Sequence, residues 1–170
     1  MYKLVTEIGE VRKHLSGPPA ADGLRLIAFD FETAPDDAYR DEEHTALDPH
    51  KAHIIGVSFS AAEGESVYVP MAHRIGANAD HAEMLTLLAG FANDPSVIKV
   101  AHNLAFESMF LYKHGIVLQQ PCYDTIAAAQ MTLKGNTAFR SLAESGLKTL
   151  VPTLLGDELP TFSEVKFETI

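Results

Sequence analysis

The chain has 170 residues, 46% of them hydrophobic and 21% charged, a composition that fits one globular domain with enough apolar residues for a sizeable core. Its net charge of −10 argues against gripping nucleic acid by bulk electrostatics, because duplex binders carry a basic face. It does not exclude an enzyme acting on nucleic acid, since site carboxylates count as negative and bound cations reverse the local sign. No apolar run approaches the roughly 18 residues of a membrane span, and MYKLVTEIGE at the start lacks the basic-then-apolar pattern of a signal peptide, so no membrane partner and a cytoplasmic location are expected.

Taken in order, residues 6–15 place Ile8, Val11 and Leu15 at helical spacing before Gly17-Pro18-Pro19, which predicts a short amphipathic helix. Leu24–Thr33 reads LRLIAFDFET, apolar at both parities, and is expected to be a strand buried on both faces of a sheet. Residues two apart in a strand share a face, so Leu24, Leu26, Ala28, Asp30 and Glu32 fall on one side and Ile27, Phe29 and Phe31 on the other. Two acids on an apolar face are costly unless a positive group lies between them, and a hard divalent cation suits carboxylate oxygens. For one D-x-E triplet alone, the plainer expectation is a strand that has left the core with both acids solvated. The acid-rich residues 34–51 are expected to be solvated surface.

His53–Ser60 and Glu65–Pro70 alternate with period two around Gly64 and predict a hairpin. Asp80 and Glu83 signal a helix start, Met84, Leu85, Leu87, Leu88 and Phe91 give it an apolar face, and Asn93-Asp94-Pro95 ends it. Val97–Ala101 is a short buried strand. A helix from Leu104 to about Lys113 follows His102-Asn103 and stops at Gly115. Cys122-Tyr123-Asp124 is a very short strand. Cys122, the one cysteine, has no partner for an internal disulfide. Helices are expected over about 125–133 and 138–150, and 152–170 has mixed character. A hairpin followed by strand–helix units implies a mixed sheet, with the active site where strand ends meet loops. Asp30 and Glu32 sit at one such end, and His102, Asn103 and the helix of Glu107 at another.

These residues resemble the DEDD superfamily of 3′–5′ exonucleases. The first motif of that family, a strand with D-x-E, is matched by Phe29-Asp30-Phe31-Glu32-Thr33. The second, an asparagine and an acid four residues on at the start of a helix, is matched by Ala101-His102-Asn103-Leu104-Ala105-Phe106-Glu107, with Glu107 where Asp is usual. Tyr123-Asp124-Thr125 and the Ala-rich stretch after it resemble the proofreading domains of bacterial and phage family A DNA polymerases, and residues 1–150 follow that domain's order. The third motif, Tyr-x-x-x-Asp or His-x-x-x-Asp on a late helix, has no counterpart after Asp124. Thr161–Val165 looks like the segment just upstream of it, and His44-x-x-x-Asp48 is out of order and read as coincidence.

The resemblance implies an α/β, ribonuclease H-like mixed five-stranded sheet with helices on both faces. It implies one domain over 1–170 that stops short of the third motif, as a piece of a longer polymerase. It also implies a 3′–5′ exonuclease using two divalent cations, Mg²⁺ or Mn²⁺, on the 3′ end of single-stranded DNA, with the polymerase domain of the same parent chain as partner. Asp30, Glu32 and Glu107 would be catalytic metal ligands, Asp30 bridging both cations, and without a fourth ligand activity is expected to be weak or absent. Thr33, His102, Asn103 and Phe106 would line the substrate site. Each has a plainer role beside it: Phe106 in the core, His102 packing locally, Asn103 and Asp124 capping the helices they precede. The alternative function is an inactive module of the same fold that binds single strands or braces a polymerase.

Overall fold

The structure, a computed structural model, describes residues 2–17, 19, 23–133 and 146–157. The contacts divide into two compact units, Met1–Tyr123 and Asp124–Ile170. The first contains β1 (Tyr2–Leu4), α1 (Ile8–Leu15), β2 (Arg25–Pro35), β3 (Ala52–Ala62), β4 (Glu65–Pro70), α2 (His81–Asn93), β5 (Val97–Ala101) and α3 (Leu104–Lys113), and it runs into β6 (Cys122–Asp124).

The sheet is mixed, in the order β1-β4-β3-β2-β5-β6. Strand β2 pairs antiparallel with β3 and parallel with β5, so it is flanked on both edges. The expected five strands are six. The strand missing from the sequence reading is β1, which pairs in parallel with β4 at the sheet edge. It has three residues, all exposed, so no alternation of buried and exposed positions marked it.

The expectation that β2 is buried on both faces is corrected. Ile27, Phe29 and Phe31 are buried, whereas Leu26 is 58% exposed and Asp30 and Glu32 are exposed. The period-two rule therefore holds with one buried parity. On the covered side Phe29 meets Phe31 and Phe91 edge-on, at 5.7 and 5.2 Å, and Phe59 meets Phe91 at 5.5 Å. Helix α2 supplies Phe91 with Met84, Leu87 and Leu88 from one stripe. Helix α1 adds Ile8, Val11 and Leu15. Asp80 caps α2, its Oδ1 accepting from Glu83 N at 2.9 Å.

The acid-rich segment after β2 is largely exposed, as expected: Asp37, Asp41, Glu42 and Glu43 all face solvent. It makes two 3-10 turns, Asp37–Tyr39 and Thr45–Leu47. Thr45 is buried and its hydroxyl lies 3.1 Å from both Tyr39 O and Glu42 O. The acids find cations: Asp37 pairs with Arg40 and, at 2.9 Å, with Arg74, and Glu42 pairs with Lys51 at 2.5 Å. Asp48 Oδ1 accepts from His50 N at 2.9 Å, a local turn bond.

In the second unit, α4 (Thr125–Leu133) begins at Asp124, whose Oδ1 accepts from Ile126 N at 2.9 Å. The late helix, expected over 138–150, is described as α5 (Leu147–Leu155). Its expected first half lies outside the described residues, and it continues through Pro152. Thr161–Val165 also lies outside the described residues.

Candidate active site

Register places the site. Across the sheet, Asp30 lies opposite Ser58 and Ser58 opposite Tyr68; Glu32 lies opposite Gly56 and Gly56 opposite Pro70. Facing residues of neighbouring strands share a side of the sheet. The side carrying the two acids is thus floored by Ser58, Gly56, Tyr68 and Pro70, while Val57, Phe59, Val67 and Val69 turn to the core. Directly after Glu32 the ladder slips between Glu32 and Thr33, an irregularity of the kind that re-aims a strand beside a site. Thr33 Oγ1 donates to Ala46 O at 2.6 Å, which anchors the slipped strand to the following loop.

The Asp30 charge bears on Glu32. Although both side chains reach solvent, partial burial raises the Asp30 carboxyl above its ordinary value, opposed by the nearby His102. Burial also raises Glu32, and the Asp30 charge raises it further. Two like charges in reduced solvent hold their protons more tightly. Such a pair is short of positive charge, and hard carboxylate oxygens on one face are the donors that Mg²⁺ or Mn²⁺ takes.

His102 follows the last residue of β5, a strand that pairs with β2, which brings it to Asp30. Asn103 is exposed, at φ 77° and ψ 57°. Contrary to expectation its side chain makes no cap on α3; the left-handed backbone turns the chain into the helix, and Asn103 O accepts from Phe106 N at 2.8 Å. Phe106 is half-buried against the core, its ring 4.9 Å from that of Phe110. Glu107 is 1% exposed in the first turn of α3, where the helix dipole favours an anion. Among the described residues no three His, Cys, Asp or Glu side chains are grouped closely enough to hold a metal ion. His102 acts on Asp30 and Asp30 on Glu32, while Glu107 lies in the first turn of the helix that follows His102 and Asn103.

The sequence reading missed Tyr68. Its phenol is pushed up to about 12 by burial and then by the Glu32 charge, and its hydroxyl lies 2.6 Å from His73 Nε2. The available signal was Gly56: an isolated glycine inside a strand marks a close approach. A Cβ there would stand 2.0 Å from the Tyr68 hydroxyl oxygen.

A mixed sheet with the D-x-E strand flanked on both sides, and a strand–helix unit beside it, defines a ribonuclease H-like α/β fold. The chain belongs to the 3′–5′ exonuclease family, whose model matches residues 20–167. It is 31% identical over 154 residues to DNA polymerase I of Chloroflexus aurantiacus, an alignment covering 87% of this chain and 16% of the polymerase; the chain therefore spans about a sixth of that relative. Among solved structures, Escherichia coli RNase D superposes with a TM-score of 0.61 at 18% identity, over 94% of this chain and 35% of that one. Brucella melitensis NrnC with bound Mg²⁺ gives 0.59 at 18% identity, over 94% and 63%. At such identities these structures speak for the fold.

Proposed function

We propose that this chain is the 3′–5′ exonuclease part of a DNA polymerase I-type enzyme and hydrolyses the terminal phosphodiester of single-stranded DNA for proofreading. The observation that carries the proposal is the Asp30–Glu32 pair: two mutually repelling carboxylates on the open face of the central strand. Asp30 and Glu32 would hold divalent cations, Mg²⁺ or Mn²⁺, with Glu107 supplying a third carboxylate from α3. Bound cations supply charge stabilisation at the phosphoryl centre and lower the pKa of the attacking water. The chain's own contribution is to fix the ligands. Strand β2 holds Asp30 and Glu32 at one spacing, the slip after Glu32 turns the chain away, and Thr33 ties that turn to Ala46. His102 and Asn103, at the entry to α3, would contact the terminal nucleotide. Phe106, half-buried, would offer a ring edge to its base.

The test is Mn²⁺-dependent digestion of 3′-labelled single-stranded DNA by this chain and by Asp30→Ala. Loss of at least about a hundredfold in rate is expected, because the cation site supplies most of the charge stabilisation. Digestion that survives the substitution removes the site. The second reading, a non-catalytic module that binds single strands or braces a polymerase, is favoured by the net charge of −10. Titration with Mn²⁺ separates the two, because a brace has no need to bind it.

A further inference from the structure

The polar open face holds a side-chain chain that the D-x-E chemistry does not use. It starts at Asn78, whose amide clips the backbone of His73 from both ends: His73 N donates to Asn78 Oδ1 at 2.8 Å and Asn78 Nδ2 donates to His73 O at 2.9 Å. His73 so held sets its Nε2 2.6 Å from the Tyr68 hydroxyl, with the two rings edge-on at 87°. Tyr68 sits opposite Ser58 in the ladder, yet its ring leans diagonally over the neighbouring position, Gly56. Gly56 is the residue paired with Glu32. The phenol thus reaches across β3 toward the second acid of the D-x-E pair, and only a residue without Cβ leaves room for it.

We propose that Tyr68 is a positioning residue for Glu32, its ring laid across Gly56 and its hydroxyl held from behind by His73, whose backbone Asn78 clips. This rests on the exonuclease reading, since it is a claim about how one ligand of that site is oriented. When the His73 tautomer carries its proton on Nε2, that N–H donates to the phenol oxygen. The phenol O–H is then left to donate toward the carboxylate through one water. A neutral donor at that place limits the rotation of Glu32 without taking up its charge. It also offsets part of the repulsion from Asp30. Supports of this kind set the orientation of ligating carboxylates.

The test uses the 170-residue chain and four changes, read by calorimetric Mn²⁺ titration, by kcat and KM on single-stranded DNA, and by thermal unfolding. Tyr68→Phe keeps the ring and removes the hydroxyl. It should weaken Mn²⁺ binding by about tenfold and lower kcat similarly, with KM and Tm unmoved. Gly56→Ala, which drives the ring aside, should reproduce the loss. His73→Ala should share it and His73→Gln, which retains an N–H donor, should restore most of it. Wild-type Mn²⁺ affinity in Tyr68→Phe overturns the proposal, whether or not the chain digests DNA. Asp30→Ala is the reference: if it too leaves Mn²⁺ binding and digestion intact, the exonuclease reading itself has failed. If it abolishes them while Tyr68→Phe does not, only the role of Tyr68 has.

Discussion

Asp30 and Glu32 stand on one face of β2, and the charge of the first raises the carboxyl of the second. Asp30 and Glu32 are legible because strand geometry puts residues two apart on one face whatever the partner strands are, and the effect of the Asp30 charge on Glu32 follows from that. Tyr68 was not legible, because its approach depends on which residue of β3 stands between it and Glu32, and register is a property of pairs of strands. Asn103 misled for a related reason. Asparagine favours caps, but it also tolerates the left-handed backbone, and here that second property is the one expressed. Glu107 is the sharpest case at this scale. Its burial at 1% exposure fits a ligand facing a closed site and fits a structural carboxylate equally. Glu107→Gln keeps the volume and most hydrogen-bonding atoms while removing the charge. As a ligand, Glu107 makes this variant lose about a hundredfold or more in kcat with little change in Tm. A fall in Tm with activity retained would assign it to the fold instead.

Elements are legible in the sequence where the signal is internal to the segment. Helix α2 shows its cap, its apolar stripe and its stop in consecutive residues, and β5, α3 and β6 fall where the sequence placed them. Strand β1 and the turns after β2 were not seen, because exposed short strands and loop turns are held by what they touch elsewhere. The junction between α2 and β5 shows how much a loop can carry. Asp94 Oδ2 accepts from Arg25 at 2.6 Å, and its Oδ1 accepts from Ser96 N at 2.8 Å and Ser96 Oγ at 2.6 Å. Its carbonyl accepts from the fully buried Lys99 Nζ at 2.6 Å. These bonds fasten the start of β2 to the turn that launches β5, the two parallel strands of the candidate site. The Ser96 hydroxyl first, and the Ser96 N–H and Arg25 after it, hold the Asp94 carboxyl below the usual carboxylate range. A depressed acid stabilises the fold fully above its unfolded value, near 3.9, and that contribution is lost as pH falls through the lower folded value. Asp94→Ala should therefore cost about 1–2 kcal/mol at pH 7, in urea denaturation, and the gap to wild type should narrow steadily below pH of about 4. A gap that stays constant down to pH 3 would mean that packing, and not the charge, is what the substitution removes.

At the scale of the molecule, the charge balance constrains how the chain can meet DNA. The formal charge is −10, and the proposed site gathers two of its carboxylates at its centre, so without cations a phosphate approaching Asp30 and Glu32 is repelled. The fold class was readable from the order of strands and helices, but this consequence comes from placing the negative charge on the open face of the central strand. A nucleic-acid binder that works through a basic face loses affinity as salt rises, because it releases counterions. Here the sign should invert. With cations chelated, raising NaCl from about 50 to 200 mM screens the repulsion and leaves binding of a short single strand unchanged or slightly stronger. Adding Mn²⁺ should raise the affinity by about tenfold or more, and Asp30→Ala should abolish that gain. Fluorescence anisotropy with a cleavage-resistant oligonucleotide measures all three. Tight binding in chelator that weakens steeply with salt would place the strand on a basic surface elsewhere in the chain and separate DNA binding from the acids of β2.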